Sequence, residues 1–217
     1  MGVNMQTPFP QSIEEYMDVD ELNAFNEYIG RLSYLLQGGR HVADVAVIYP
    51  IASAQAYNVF GEGWEYGYVG GQVPAELDYM NVGEELFRGL KIDYTYLHPE
   101  VLAENTIIDH ATLILDNEVN REEYRLVILP GGSTLGVETA RRLLEYFRSG
   151  GKIIATSLLP EYSAEFGKDG ELREMIKEIF AEGRNSNEAG GEALFLPRCS
   201  RESLEEAIDG MLPVRDV

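Results

Sequence analysis

Cysteine and tryptophan occur only once each in this sequence, and basic residues are scarce beside acidic ones. With Cys199 as the only cysteine among 217 residues, no disulfide and no zinc site built from several thiolates can form within the chain. Seventeen Lys and Arg residues stand against 37 Asp and Glu residues, which leaves a formal net charge of −20. Nucleic acids and anionic membranes recruit proteins through clustered Lys and Arg. We therefore expect neither a nucleic acid nor a membrane as a partner.

The sequence also lacks long apolar runs and the spacing of known metal or cofactor motifs. No stretch has the length of a membrane-spanning helix, and no basic-apolar signal segment opens the chain. As it stands the chain is expected to be cytoplasmic, and its compartment is unknown if it is a fragment of a longer secreted protein. His41, His98 and His110 show no metal-ligand spacing, and neither G-x-G-x-x-G nor the Walker lysine pattern occurs. We expect no metal and no cofactor.

Helical periodicity is the first regular pattern along the chain. Between Ser12 and Gln37, apolar residues recur at spacings of three and four, and Gly38-Gly39 ends the pattern. This predicts a lead-in and an amphipathic helix over residues 1–40, followed by one α/β domain over 41–217. The apolar positions of the helix are Leu22, Phe25, Ile29, Leu32, Leu35 and Leu36.

From residue 42 onward, buried apolar runs alternate with amphipathic helices. Such alternation predicts a doubly wound, mostly parallel sheet of the flavodoxin-like kind, with helices on both faces and an N-terminal helical extension. The predicted strands are 42–50, 92–97, 111–115, 124–129, 152–156 and 193–196, and the predicted helices are 75–90, a segment ending at Arg148, 170–181 and 203–211.

Ligands in open parallel sheets bind beyond the carboxyl ends of the strands, and this rule selects the candidate sites. Pro130-Gly131-Gly132-Ser133 leads from a strand into a helix, so it predicts either an anion site at the helix N-terminus or a tight turn capped by Ser133 or Thr134. Ser157 follows the strand 152–156, where related folds place a nucleophile on a strained turn. Its neighbours Ala155, Thr156, Leu158 and Leu159 include no glycine, which favours an ordinary loop hydroxyl. His98, at another strand end, is the candidate base for Ser157.

A glycine-rich aromatic segment between residues 51 and 76 is the most unusual stretch of the chain. Aromatic rings of this kind anchor protein interfaces, pack on their own domain or stack on sugar rings. We keep these three interpretations open, with an interface favoured. The aromatic residues are Tyr57, Phe60, Trp64, Tyr66 and Tyr68.

Four segments resemble parts of large bacterial glycoside hydrolases. They are similar, in order, to the region of family 106-type α-L-rhamnosidases where the catalytic part gives way to a class I glutamine-amidotransferase-like domain, and to the similar domain of family 42 β-galactosidases, which helps subunits associate. The resemblance covers about residues 20 to 182. The segments are 26–50 (NEYIGRLSYLLQGGRHVADVAVIYP), 92–97 (IDYTYL), 124–132 (YRLVILPGG) and 150–157 (GGKIIATS).

The resemblance implies an accessory domain with no catalytic residues of its own. True class I amidotransferases carry a nucleophilic cysteine after the fourth strand and a later His-Glu pair. Here Ser157 stands at that position, and no histidine follows His110. We therefore predict a non-catalytic domain of a carbohydrate-active protein, acting in packing against other domains of a parent enzyme or in self-association. The alternatives are a small-molecule hydrolase that uses the strand ends, and a carbohydrate-binding module that uses the aromatic loop.

Overall fold

The computed structural model describes residues 17–37, 41–56, 76–116 and 121–212. By internal contacts the chain forms two compact units, Met1–His41 and Val42–Val217. Within the described ranges, no helix is both long enough and apolar enough to span a bilayer.

The first unit contributes one helix, α1 (Val19–Leu35). Its start is fixed by a capping box, because the Asp18 carboxylate accepts from the amides of Asp20 and Glu21, both at 2.9 Å, while the Glu21 carboxylate accepts from the Asp18 amide at 3.1 Å. These contacts satisfy amides that the first helical turn leaves without partners. The described helix thus begins later than the predicted start at Ser12, and residues 1–16 lie outside the described ranges.

A six-stranded sheet forms the centre of the second unit. Five of its strands are parallel, and one edge strand pairs antiparallel with its neighbour, so the predicted mostly parallel sheet is confirmed. The spatial order is β10-β11-β8-β6-β1-β2. The strands are β1 (Val45–Ile48), β2 (Tyr94–Leu97), β6 (Leu126–Leu129), β8 (Lys152–Thr156), β10 (Arg184–Ser186) and β11 (Glu192–Leu196).

Helices cover both faces of this sheet, and each face has its own apolar core. One core joins alternate residues of β1, β6 and β8 to α3 (Tyr79–Glu84) and α7 (Arg201–Met211), and the other joins the opposite residues to α4 (Pro99–Glu104), α5 (Val137–Arg148) and α6 (Asp169–Phe180). A π-helical turn, Glu85–Gly89, continues α3, and a short helix α2 (Ile51–Ala56) follows β1. Strands buried on both faces explain the continuous apolar runs in their sequences.

Two small sheets complete the second unit. A three-stranded antiparallel sheet runs in the order β3-β4-β5, and a two-stranded parallel sheet joins β7 to β9. Of these strands only β4 was predicted. In the central sheet, no strand was predicted between residues 183 and 191, yet β10 lies there. The additional strands are β3 (Thr106–Asp109), β4 (Thr112–Asp116), β5 (Arg121–Tyr124), β7 (Thr134–Leu135) and β9 (Tyr162–Ser163).

Candidate functional site

A buried carboxylate, Asp78, lies at the carboxyl end of the sheet and connects two strand ends. Only 6% of Asp78 is exposed. Its Oδ1 accepts from the Gly131 amide and from the Thr156 hydroxyl, both at 2.8 Å, and its Oδ2 accepts from the Ser157 hydroxyl at 2.5 Å. Gly131 follows β6, Thr156 ends β8, and Ser157 comes directly after it. Asp78 therefore holds together the turns that leave these two strands.

Ser157 has the strained backbone that its flanking residues argued against. Its φ is +55°, a left-handed conformation that costs an L-residue about 1–2 kcal/mol. The flanking residues gave no sign of this conformation, and the expectation of a loop hydroxyl at this position stays a prediction. The turn fits without a flanking glycine because Gly131, just after the neighbouring strand β6, has no side chain. A Cβ on Gly131 would collide with the carbonyl oxygen of Glu76 and lie 2.9 Å from the Ser157 Cβ.

The backbone amides around Ser157 are engaged within the protein. The Ser157 amide donates to the Leu196 carbonyl at 2.9 Å, and the Leu158 amide donates to the Thr156 carbonyl at 2.6 Å. On the neighbouring turn, the Gly132 amide donates to the Leu158 carbonyl at 3.1 Å, while the Gly131 amide is held by Asp78. An oxyanion hole requires amides that point at a reacting oxygen. These four amides already have acceptors.

The crevice between β1 and β6 is filled by a buried serine. The chain leaves β1 for β2 on one side and reaches β6 on the other, which makes this gap the point where ligands bind in open α/β sheets. Ser53 is fully buried there, and its hydroxyl donates to the Thr134 carbonyl at 2.8 Å and accepts from the Thr134 amide at 2.9 Å. A Cβ on Gly132 would lie 2.5 Å from the Ser53 Oγ. Gly131 and Gly132 thus permit close packing of the protein on itself.

The N-terminus of α5 is occupied by a carboxylate of the protein. The helix begins after Gly136, and the Val137 amide donates to both oxygens of Glu165, at 3.0 and 3.3 Å. Capping by Ser133 or Thr134 was therefore wrong, and their hydroxyls lie 3.2 Å from each other. Burial alone would raise the pKa of Glu165, but hydrogen bonds from the Ser163 hydroxyl and the Val137 amide outweigh it and lower the pKa. The anion that the helix N-terminus attracts is Glu165.

His98 does not lie next to Ser157. Its Nδ1 accepts from the Glu100 amide at 3.3 Å and so caps α4. The sheet order puts β1 and β6 between the strand that ends at His98 and the strand that ends at Ser157, three interstrand spacings or about 14 Å. His110, whose Nδ1 lies 2.7 Å from Asp109, is 94% exposed at its side chain on the β3–β4 turn. No group of His, Cys, Asp and Glu within the described ranges could hold a metal ion.

The only cysteine of the sequence, Cys199, is half-buried. Burial, the charge of Asp78 and the charge of Glu85 together raise its thiol pKa to about 12. A thiol with that pKa is protonated at neutral pH and is therefore a poor nucleophile.

A tyrosine cluster that the sequence did not reveal lies beside β1 and β2. The rings of Tyr49, Tyr79, Tyr94 and Tyr96 meet edge to face, with centroids 5.0–6.4 Å apart, and the Tyr96 hydroxyl donates to the Tyr79 carbonyl at 2.8 Å. Gly83 of α3 leaves room for two of these hydroxyls. The predicted aromatic site is a different one and lies outside the described residues, namely Tyr57, Phe60, Trp64, Tyr66 and Tyr68.

Sequence comparison identifies no relatives. No protein-family model matches the chain, and no curated protein is significantly similar to it.

Solved structures with a similar fold include glycoside hydrolases. A rhamnosidase from Novosphingobium sp. PP1Y matches with a TM-score of 0.56 and 20% identity, over 88% of this chain and 16% of that one. A catalytic mutant of Gan42B, a GH42 β-galactosidase from G. stearothermophilus, matches with a TM-score of 0.53 and 15% identity, over 93% of this chain and 36% of that one. The chain thus spans well under half the length of these proteins, and identities this low show similarity of fold alone.

Proposed function

We propose that this chain is a non-catalytic α/β domain of a glycoside hydrolase-like protein and that it acts in domain or subunit packing. The observation that carries the proposal is the closed carboxyl end of the sheet. The Ser157 hydroxyl donates to Asp78 at 2.5 Å, and the amides of Ser157, Leu158 and Gly132 donate to backbone carbonyls. The groups that a catalytic site would turn toward a substrate instead bind one another.

Nucleophilic catalysis by Ser157 would require a base and an oxyanion hole, and neither the candidate histidine nor the neighbouring amides are placed for these roles. A serine nucleophile is usually activated by a histidine within hydrogen-bond reach. The candidate histidine, His98, caps α4 three strands away. The nearest amides would have to leave their present acceptors before they could stabilise an oxyanion, and preorganised donors are what make such stabilisation effective.

The finer fold assignment is part of the same proposal. The five parallel strands lie in the order second, first, third, fourth, fifth along the chain, which is the order of the flavodoxin-like doubly wound sheets. Class I amidotransferase-like domains are built on such sheets, and the segments described above resemble them. The link to carbohydrate chemistry comes from the structural neighbours, which are a rhamnosidase and a β-galactosidase.

One observation favours a second candidate, a small-molecule hydrolase. Strain at Ser157 together with a 2.5 Å hydrogen bond to a buried carboxylate is an arrangement that a serine–aspartate dyad would share. In such an enzyme Asp78 would accept the serine proton as the hydroxyl attacks an ester. Strain of this kind also occurs where neighbouring contacts simply fix a turn.

Turnover separates the two candidates. The chain is incubated with activated esters and with aryl α-rhamnosides and β-galactosides, beside its Ser157→Ala variant. We expect both proteins to give the uncatalysed rate on every substrate. Ester hydrolysis that Ser157→Ala abolishes would replace the packing proposal with the hydrolase. Glycoside hydrolysis by the chain alone would contradict it as well.

A further inference from the structure

The segment between β8 and α6 buries none of its own side chains. Residues 161–168 are all exposed or half-buried. Phe166 is fully exposed and Tyr162 is 54% exposed, so neither ring holds the segment against the core. Both flanks are fixed, since Pro160 is buried before it and Leu172 is buried in α6 after it. Because apolar burial is the main stabilising force in folding, the flanks are held more firmly than the segment between them.

Backbone hydrogen bonds attach the first half of the segment to β7 and to the residue before it. The amides of Glu161 and Tyr162 both donate to the Ser133 carbonyl at 3.0 Å. The Ala164 amide donates to the Leu135 carbonyl at 3.1 Å. This is the pairing of β9 with β7, which is two residues long. Segments with few buried apolar contacts and with solvent-exposed backbone hydrogen bonds are the ones that open locally in folded proteins.

The Glu165 carboxylate attaches the second half of the segment to α5. It accepts from the Val137 amide at 3.0 and 3.3 Å and from the Ser163 hydroxyl at 2.5 Å. The Ser163 hydroxyl oxygen in turn accepts from the Glu165 amide at 3.0 Å. A carboxylate at a helix N-terminus is favoured both by the free amides of the first turn and by the helix dipole. Glu165 is therefore a side chain whose charge helps to keep the segment in place.

We propose that residues 161–168 form a flap that opens as a unit while the rest of the domain stays folded, and that Glu165 is its latch. This inference goes beyond the packing role proposed above and does not depend on it. Opening breaks the bonds to Ser133, Leu135 and Val137 but exposes no buried side chain of the flap itself. It also frees the Val137 amide and the turn after β6, at the edge where open parallel sheets bind ligands. The flap thus controls access to this part of the carboxyl end of the sheet.

Hydrogen exchange of the full chain, measured by NMR at several low urea concentrations, tests the flap. The Tyr162 and Ala164 amides report on the flap, and the amides of β8 from Ile153 to Ala155 report on global unfolding. After correction for intrinsic rates, we expect the flap amides to exchange at least about 100-fold faster than those of β8. Their rates should also depend little on urea, because opening exposes little surface. Flap amides that match β8 in rate and in urea dependence overturn the proposal.

A substitution in the core tests whether the flap opens independently of the rest of the domain. Ile208 is fully buried in the core on the face of the sheet opposite α5 and α6. Ile208→Val should lower global stability and speed exchange of the β8 amides about 2- to 10-fold. It should leave the Tyr162 and Ala164 amides at their wild-type rates. Equal acceleration of both sets would show that the flap opens only when the domain unfolds, which overturns the proposal.

Glu165→Ala tests the latch, and Glu161→Ala is its matched control, since it removes an exposed carboxylate from the same flap. Loss of a side chain that caps a helix N-terminus favours opening, so we expect Glu165→Ala to speed exchange of the Tyr162 and Ala164 amides at least about fivefold. Glu161→Ala should keep the wild-type rates. Wild-type rates in Glu165→Ala, or equal acceleration by both substitutions, overturn the role of Glu165 as the latch.

Discussion

Asp78 should be the most sensitive buried polar residue at the carboxyl end of the sheet. Replacing it with alanine removes the acceptor of three hydrogen bonds, donated by the Gly131 amide, the Thr156 hydroxyl and the Ser157 hydroxyl. Replacing it with asparagine keeps hydrogen-bond partners for these groups. The amide oxygen can take the place of Oδ1 and keep two of the bonds, and the amide NH2 can donate to the Ser157 oxygen once that hydroxyl rotates.

The two substitutions therefore differ in magnitude. In Asp78→Ala, the Gly131 amide and the fully buried Thr156 hydroxyl lose their acceptor, and each unsatisfied buried donor costs about 1–3 kcal/mol. We expect a loss of about 3–5 kcal/mol in the free energy of unfolding. Asp78→Asn exchanges charge-assisted bonds for neutral ones, and we expect it to cost about 1 kcal/mol.

Urea unfolding followed by circular dichroism at neutral pH measures both losses. Glu205→Ala is the matched control, since it removes an exposed carboxylate from α7 and should change stability by less than about 0.5 kcal/mol. Combining Asp78→Asn with Ser157→Ala tests whether the two side chains act together, because contacting residues have non-additive effects. Our reasoning fails if Asp78→Ala costs no more than the control, or if the asparagine variant is as unstable as the alanine variant.

Three further predictions rest on separate parts of the fold. Gly83→Ala places a Cβ against the hydroxyls of Tyr94 and Tyr96, so we expect it to lower the free energy of unfolding in urea by about 1–3 kcal/mol. Gly170→Ala is the control, since its Cβ meets no atom within 4 Å and should be neutral or stabilising. Equal effects of the two substitutions would contradict the claim that Gly83 is needed to make room for the tyrosine hydroxyls. Because the folded protein lowers the pKa of Glu165, this carboxylate stabilises the fold above its unfolded pKa of about 4.3, and the stabilisation is lost as pH falls through the folded pKa. The stability difference between wild type and Glu165→Gln should then be constant near neutral pH and shrink in acid, and a difference that does not change with pH would refute the role of the charge. Cys199, whose thiol pKa is about 12, should react with a disulfide reagent at neutral pH far more slowly in the folded chain than in urea, and equal rates would show that burial does not protect it.

The central sheet was predictable because its signal is local. The strand Lys152–Thr156 lies at the predicted residues, and the helices Asp169–Phe180 and Arg201–Met211 begin within two residues of the predicted starts. Strands buried on both faces are continuous apolar runs, and glycines mark the turns that separate them from helices. The short strand Arg184–Ser186 has no such pattern. It forms because it pairs with Glu192–Leu196, and its polar residues give no sequence signal of that pairing.

The carboxyl-end cluster was not predictable in the same way. Asp78 is separated by 53 residues from Gly131 and by 79 from Ser157, and nothing in its own neighbourhood marks it as buried. The cap of α5 comes from Glu165, 28 residues after the helix begins, so a search for a nearby Ser or Thr selected the wrong residue. The conformation of Ser157 depends on a glycine of the adjacent strand rather than on its own flanks. Each of these features is a contact between distant parts of the chain.

The central claim, that Ser157 is held in a closed and unreactive cluster, is tested most directly by covalent labelling. The folded chain is incubated with a fluorophosphonate probe, which reacts with activated serines, and its intact mass is measured beside Ser157→Ala. We predict no adduct on either protein. A stoichiometric adduct that maps to Ser157 and is absent from Ser157→Ala would show an activated nucleophile and contradict the account.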